Sequence, residues 1–428
     1  MSYETSTSSA RFQHTAHSAS SRCDSVPPGM RLLTASVVLR HGDRAPIDNV
    51  LMKGADSERL AEAFWATRVL SDAHIATLSS RFPLACLGSG TSRRPSPVAT
   101  RWPYGALTAR GAEQSFLIGR HLRALYGPTL CAPSNVVARS TAVARTVNTA
   151  RSFLAGFCSS LGTTWDDEEL QLDDAAQAAA RPLRILVETD PASALVANFS
   201  YAQRSVPVLI QDYHAANAAM QASESMTRVK ATLLSALPRL RDTWSRSSLL
   251  FAFDSLKCRH AHARGDIAPG AFEEDALYAE LGDAIAGVFW DAYCAPHGTT
   301  TSGAMVAAAM VEDIADGFAR GAAAPIRVYV GHDTTLMPTL AALGLSEEAN
   351  GKQRSWPPYA SHIRIELLER ESREREQVVR VVYNGNVVSL PSCGGRELCT
   401  LAEFNALVKE LRPRGWQRLA QGSSDRAC

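Results

Sequence analysis

Short apolar runs that end abruptly in polar clusters recur along the chain, and each is followed by a segment of helical periodicity. Residues 36–39 of "SVVLRHGDRAPI" read as a buried strand that stops in Arg40, His41, Asp43 and Arg44. Such an exit places ionisable side chains at the carboxyl edge of a sheet, where open α/β folds gather their ligands. Thr108 opens the next segment, in which Ile118, Leu122 and Leu125 repeat at helical spacing until Gly127-Pro128 supplies a stop. "NVVARST" predicts a second strand ending at Arg139, and Val143, Val147, Ala150 and Leu154 predict the helix after it, closed near Gly156.

The pattern then changes. "TTWDDEELQLDDAAQAAARP" is acidic and Ala-rich, and the stretch from there to about residue 323 is mostly helical in pattern. At "PIRVYVGHDTTLMPTLAALG" the earlier order returns, with a strand over residues 327–330, a polar exit at His332 and Asp333, and a helix ending before Gly344. "HIRIELLER" and "QVVRVVYNGNVVSL" alternate apolar and polar positions as late strands do. Strand, polar exit and helix occur three times, which predicts an α/β fold: a mainly parallel central sheet with helices on both faces and a helical cap insertion. The expected division is a disordered segment over residues 1–30, a core built from 31–160 and 324–412, a cap over 161–323 and a tail over 413–428.

Composition narrows the class. A chain of 428 residues that is 46% apolar can bury a large core, and 44 basic residues against 43 acidic ones give no electrostatic case for nucleic acid or a membrane surface. No apolar run reaches the roughly 18 residues of a membrane span. The first 27 residues are rich in Ser, Thr and His and lack the apolar region of an ordinary secretory signal. Nine cysteines are too few for a disulfide scaffold, and an odd number leaves one thiol unpaired. Cys393 and Cys399 are close enough for a small bridge, with two reduced thiols as the equal alternative.

If the three strands are parallel neighbours, Arg40, His41 and Arg44 from the first, Arg139 from the second, and His332 with Asp333 from the third converge. Three guanidiniums around one imidazole suit a doubly charged tetrahedral anion, because each planar fork can clamp two phosphate oxygens. Alone, an Arg at a strand end is usually a solvated charge and a His is usually structural. The joint pattern outweighs that reading. "RHGDRAP" at 40–46 matches the Arg-His-Gly-x-Arg-x-Pro signature of the histidine acid phosphatases, and "GHDTT" at 331–335 matches their His-Asp signature. "WPYGALTARGAEQ", "RSTAVART", "PPYASHIRIELL" and "VVSLPSC" follow in the family's order, so the resemblance covers roughly residues 31–410 and is similar to the prostatic and lysosomal branch.

The resemblance implies a two-step hydrolysis of phosphate monoesters with no metal and no cofactor. His41 would be the nucleophile, Asp333 the general acid and then base, and Arg40, Arg44, Arg139 and His332 would hold the phosphate oxygens. A general acid must carry its proton, so the optimum is expected in the acid range. Arg145, six residues beyond Arg139, is expected to brace the loop. Asp43 fills the variable position of the first signature. His260 and His262 lack a third ligand nearby and do not point to a metal, and "DSLKCRHAHA" resembles a cap block of the family in which the His is structural or lines the pocket.

The family's usual setting is lysosomal or secreted. Against it, Cys258 stands where the family has a bridged Cys, yet the position after "PPYAS", where its partner is usual, holds His362. Asn198-Phe199-Ser200 forms a glycosylation sequon. A broad acid phosphatase is the leading reading. The alternatives are a narrower lysophosphatidate or phytase-like phosphatase and a silent member that binds phosphate or a partner. Frequent dimerisation in the family allows a homodimer.

Overall fold

A computed structural model describes residues 25–48, 50–52, 55–87, 102–159, 165, 183–188, 195, 206–238, 240–245, 248–262, 274–345 and 355–411. Most of the expected disordered segment, the tail, the sequon at Asn198 and nearly all of the acidic stretch after residue 162 lie outside them.

The strands are β1 (Met30–Arg40), β2 (Leu84–Leu87), β3 (Val136–Thr141), β4 (Ile185–Glu188), a two-residue hairpin of β5 (Pro296–His297) and β6 (Thr300–Thr301), β7 (Ile326–Gly331), β8 (His362–Arg370), β9 (Gln377–Tyr383), β10 (Asn386–Val388) and β11 (Leu398–Thr400). Among the described residues the main sheet runs β10-β9-β8-β1-β7-β3-β4-β2, with β11 paired to β9 beside β10. β1, β7, β3, β4 and β2 are mutually parallel, and β8 turns the sheet antiparallel from β1 outward.

β1 is the pivot. Every residue from Leu33 to Arg40 is buried, as expected of a strand covered on both faces. Val37, Leu39, Val328, Val330, Ala138 and Ile185 belong to one core, which includes residues of the helices Ala109–Leu130 and Ala144–Cys158. Val38, Tyr329, Ile363 and Ile365 belong to the other, under the helices Ser302–Phe318, Asp333–Ala342 and Leu401–Glu410. Each buried Val, Leu or Ile contributes about 1.5–3 kcal/mol relative to exposure. The two cores therefore fix which way every side chain of β1 points, and with it the direction of the exit at His41.

The stretch expected to form a separate cap is less distinct. β4 lies within it yet pairs with β2 and β3 in the main sheet, and Ser302–Phe318 packs on the sheet core. Helices Pro207–Ala222, Glu224–Ala236, Ser248–Ala261 and Glu274–Cys294 follow the expectation. Cys393 and Cys399 are bridged. Among the described residues no helix is long and apolar enough to cross a membrane.

Candidate active site

The register of the parallel strands decides where the polar exits meet. Arg40 pairs with Gly331 across β1 and β7, and Ser140 pairs with Val330 across β3 and β7. The ends of the three strands are thus level at one edge, with β7 in the middle. Arg40 and His41 leave β1, His332 and Asp333 leave β7, and the turn after Thr141 leads into the helix Ala144–Cys158.

The loop carrying the nucleophile candidate is held by backbone packing. A Cβ on Gly42 would lie 2.1 Å from the Gly111 carbonyl oxygen, and one on Gly111 would lie 2.1 Å from the Asp43 carbonyl oxygen. Only glycine permits that approach. Thr108 caps the helix by accepting from Gly111 N and donates to Asp43 Oδ2 at 2.6 Å, while Gln114 Oε1 accepts from Asp43 N at 3.1 Å. The "LTARGAEQ" block therefore cradles the loop rather than touching the phosphate position. From the opposite side, Ser361 O accepts from Arg40 N, Ala360 N donates to His41 O, and Pro357 O accepts from Arg40 Nη1. Ala360 adopts φ 58° to do so, a left-handed conformation that disfavours a residue with a Cβ.

His41 is buried, and its Nδ1 lies 2.8 Å from Gly42 O. A carbonyl only accepts, so Nδ1 carries the hydrogen and Nε2 keeps its lone pair. Burial first, then the charges of Arg145, Arg40, Arg44 and His332, hold its pKa well below the usual imidazole value. The ring is therefore neutral even in acid, which is the form a nucleophile needs. Its centroid is 5.5 Å from His332 and 5.8 Å from Tyr359.

Arg40 is fully buried and its Nη2 lies 2.7 Å from Asp333 Oδ2. Burial would raise the Asp333 pKa, but Arg40, then Lys257 and His332, outweigh it and bring the carboxyl down to about 2. Arg44 is gripped bidentately by Asp254, at 2.6 and 3.1 Å, and Asp254 also accepts from Ile47 N. Asp254 comes from the helix Ser248–Ala261, and Arg44 with Lys257 keeps its pKa far below the ordinary range despite burial.

The structure separates two arginines in an order opposite to the sequence expectation. Arg139, expected among the phosphate clamps, bonds Glu188 at 2.6 Å and Asp313 at 3.0 Å. It lies mid-strand, because β3 continues two residues beyond it to Thr141. Its side chain is held between Glu188 at the end of β4 and Asp313, with Cζ 5.8 Å from the Tyr329 ring centroid. Arg145, expected only to brace the loop, is buried beside the two histidines. Its Nη2 is 3.4 Å from His332 Nδ1, and its Nε and Nη1 have no partner among the described residues. An arginine donates only, so His332 Nδ1 accepts and Nε2 carries the hydrogen, donating to Thr141 Oγ1 at 3.1 Å. Burial and Arg145 bring the His332 pKa down to about 3, so this ring too is neutral.

Asp43 is wholly buried and meets His262 Nε2 at 2.5 Å, with His262 edge-on to Trp65. His260 stacks on Tyr278. Neither histidine joins a metal-type cluster among the described residues. Cys258 is a free thiol 3.1 Å from the Tyr359 hydroxyl. Asp254, Lys257, Tyr359 and Arg145 are the site members that the pattern of strand exits did not supply. The signal for Arg145 is a cation in the first turn of a helix, where the macrodipole disfavours it.

Over 77 residues the chain is 34% identical to mouse (Mus musculus) lysophosphatidic acid phosphatase type 6, covering 18% of this chain and 16% of the relative. Over 91 residues it is 32% identical to 2-phosphoxylose phosphatase 1 of Xenopus tropicalis, covering 19% and 17%. The matched stretches thus span less than a fifth of each relative. A crystal structure of the Bifidobacterium longum multiple inositol polyphosphate phosphatase in complex with inositol hexasulfate shares the fold, with a TM-score of 0.56 and 14% identity over 90% of this chain and 93% of that one. Residues 31–384 match the family model of the histidine phosphatase superfamily, branch 2, and the chain belongs to that family.

Proposed function

We propose that this chain hydrolyses phosphate monoesters through a phosphohistidine formed on His41. The observation that carries the reading is the imidazole itself. It is neutral, fixed by Gly42 O in the tautomer that leaves Nε2 available, and surrounded by Arg40, Arg44 and Arg145. Fixed cations in a buried site stabilise the charge that develops on a transferring phosphoryl group.

In the first step Nε2 attacks phosphorus, the P–O ester bond breaks and Asp333 gives a proton to the departing oxygen. In the second, Asp333 removes a proton from water, the oxygen attacks phosphorus, the P–N bond breaks, and neutral His41 returns with inorganic phosphate released. Asp333 paired with Arg40 is a carboxylate, so the proton it delivers arrives with the substrate monoanion, whose second ionisation lies near pH 6. The phosphate also competes for Arg40, which frees the carboxyl to hold that proton. Arg40 and Arg145 bind the non-bridging oxygens. Arg44, anchored by Asp254, adds charge from behind, and His332 orients Arg145.

The names of the two relatives support a monoester substrate. A broad monoester range is the leading form of this reading, and family precedent supports a homodimer, which sedimentation velocity would read directly. The test is hydrolysis of p-nitrophenyl phosphate from pH 4 to 8 with EDTA present. Wild type should turn over in acid despite the chelator, His41→Ala should abolish turnover, and Asp333→Asn should reduce it sharply. A folded but inactive wild type would favour the silent binder instead.

A further inference from the structure

Among the described residues Lys257 stands at the site with its donors unspent. The helix Ser248–Ala261 presents Asp254, Lys257 and Cys258 at positions i, i+3 and i+4, one helical face directed at the nucleophile loop. Lys257 is buried, and its ammonium lies 5.2 Å from the Phe253 ring centroid, 5.3 Å from that of Trp356 and 5.0 Å from that of Tyr359. Aromatic faces stabilise a cation without consuming any N–H. The nearest carboxylate oxygen, Asp254 Oδ1, is 3.7 Å away, beyond hydrogen-bond length, and both Asp254 oxygens are already bonded to Arg44. A structural lysine would be expected to satisfy its donors in the core; this one keeps them beside the active site.

Its position identifies which part of the substrate it meets. Arg40 lies over the same Tyr359 ring, 4.6 Å from its centroid, and holds Asp333 at 2.7 Å, and Lys257 is the strongest cation after Arg40 acting on Asp333. Asp333 must face the ester oxygen in order to protonate it. The ammonium therefore lies on the side of the departing alcohol. Charge gives the class of ligand. With Asp333 carrying its proton, Arg40, Arg44, Arg145 and Lys257 face the Asp254 carboxylate and a phosphate dianion, while Asp43 is occupied by His262 and Thr108. Asp254 is shared with Arg44 and lies closer to it, so the single ammonium is not fully neutralised, which matches a carboxylate better than a second phosphate.

Resting on the phosphatase reading, we infer that Lys257 is a specificity-determining residue that binds a carboxylate on the alcohol portion of the substrate, so that the site prefers phosphate monoesters of hydroxy acids. The groups facing it are Asp254 and Cys258 on its own helix, Arg40 and Arg44 at the exit of β1, Asp333 after β7, and Tyr359. Burial and the two arginines, against Asp254 and Asp333, bring the Lys257 pKa down to about 8. Its charge is complete well below that pH and is lost above it.

The test compares kcat/KM for phosphoglycolate and ethyl phosphate, which differ by one carboxylate, with p-nitrophenyl phosphate as the reference for activity. Wild type should prefer phosphoglycolate, and the ratio should decline as pH rises through about 8, where titrations common to both esters cancel. Lys257→Met should lower phosphoglycolate turnover by about 10- to 100-fold, the worth of one charge-assisted hydrogen bond, chiefly through KM. Ethyl phosphate, which also loses the cation acting on Asp333, should fall by clearly less, so that the wild-type preference collapses toward one. Lys257→Arg should keep most of the preference. Equal losses on both esters, or a wild-type ratio near one at every pH, would overturn the inference and leave the phosphatase reading standing. A wild type that hydrolyses none of the three esters would refute both.

Discussion

Two arginines six residues apart make opposite demands on the same fold, and replacing each in turn separates binding from architecture. Arg145 is buried with two of its three guanidinium nitrogens unpartnered among the described residues and Arg44 repelling it. On the proposed reading those nitrogens meet the phosphate. A bidentate contact to phosphate makes two charge-assisted hydrogen bonds worth about 1.5–3 kcal/mol each, so Arg145→Ala should lose about 3–6 kcal/mol of transition-state binding. That is roughly 10²- to 10⁴-fold in kcat/KM. Unfolding stability should stay level or rise.

Arg139→Met should do the reverse. Glu188 has a side chain 1% exposed, and burial already pushes its carboxyl upward. Stranding it without its cation costs about 3–5 kcal/mol for a fully buried pair, and nearer 3 here because Arg139 is partly solvated. The assay is kcat/KM on p-nitrophenyl phosphate at pH 5 beside urea midpoints for both variants. The reasoning fails if Arg139→Met loses activity per folded molecule, or if Arg145→Ala stays within tenfold of wild type.

Other consequences are as direct. Asp254→Ala removes the counter-charge of Arg44 and Lys257 in a buried site, so it should destabilise the protein by about 3–5 kcal/mol, read by chemical denaturation. Between pH 4 and 7 neither Asp333, at about 2, nor His332, at about 3, changes charge in the free enzyme. The fall of kcat/KM on the alkaline side should therefore follow the second ionisation of the substrate near pH 6, about tenfold per pH unit beyond it. Substrates with a lower second pKa should shift that limb to lower pH, and a limb that stays put would assign it to a protein group. His262→Ala leaves the wholly buried Asp43 carboxylate with only Thr108 and should loosen the loop beneath His41, lowering kcat more than it raises KM.

Much of this arrangement is legible in the chain because strand ends are local. Val37 to Leu39 and Val328 to Val330 are apolar runs that stop at the ionisable residues they deliver, and Gly42 and Gly331 mark close approach, to the Gly111 backbone and to the Thr335 side chain. The exit of β3 is harder to read, since Ser140 and Thr141 are polar yet still belong to the strand, and this drew the expectation to Arg139 although Arg145 is the arginine that lies beside His332. β2 and β4 are four residues each in the parallel part of the sheet, too short for periodicity to distinguish them from their surroundings. Asp254 and Lys257 carry no local mark at all. Arg44 reaches Asp254 across 210 positions, and only the packing of the helix Ser248–Ala261 against the loop after β1 brings the two together.

The central claim is a covalent bond between phosphorus and His41 Nε2. Rapid acid-free quenching of the Asp333→Asn variant during turnover of a good leaving-group ester such as p-nitrophenyl phosphate, followed by peptide mass spectrometry, tests it directly, because this variant retains the nucleophile and lacks the base that clears the intermediate. One phosphoryl group on the peptide bearing His41, labile to acid and absent from His41→Ala, is the expected result. Turnover with no phosphorylated peptide, or a phosphoryl group on another residue, would contradict it.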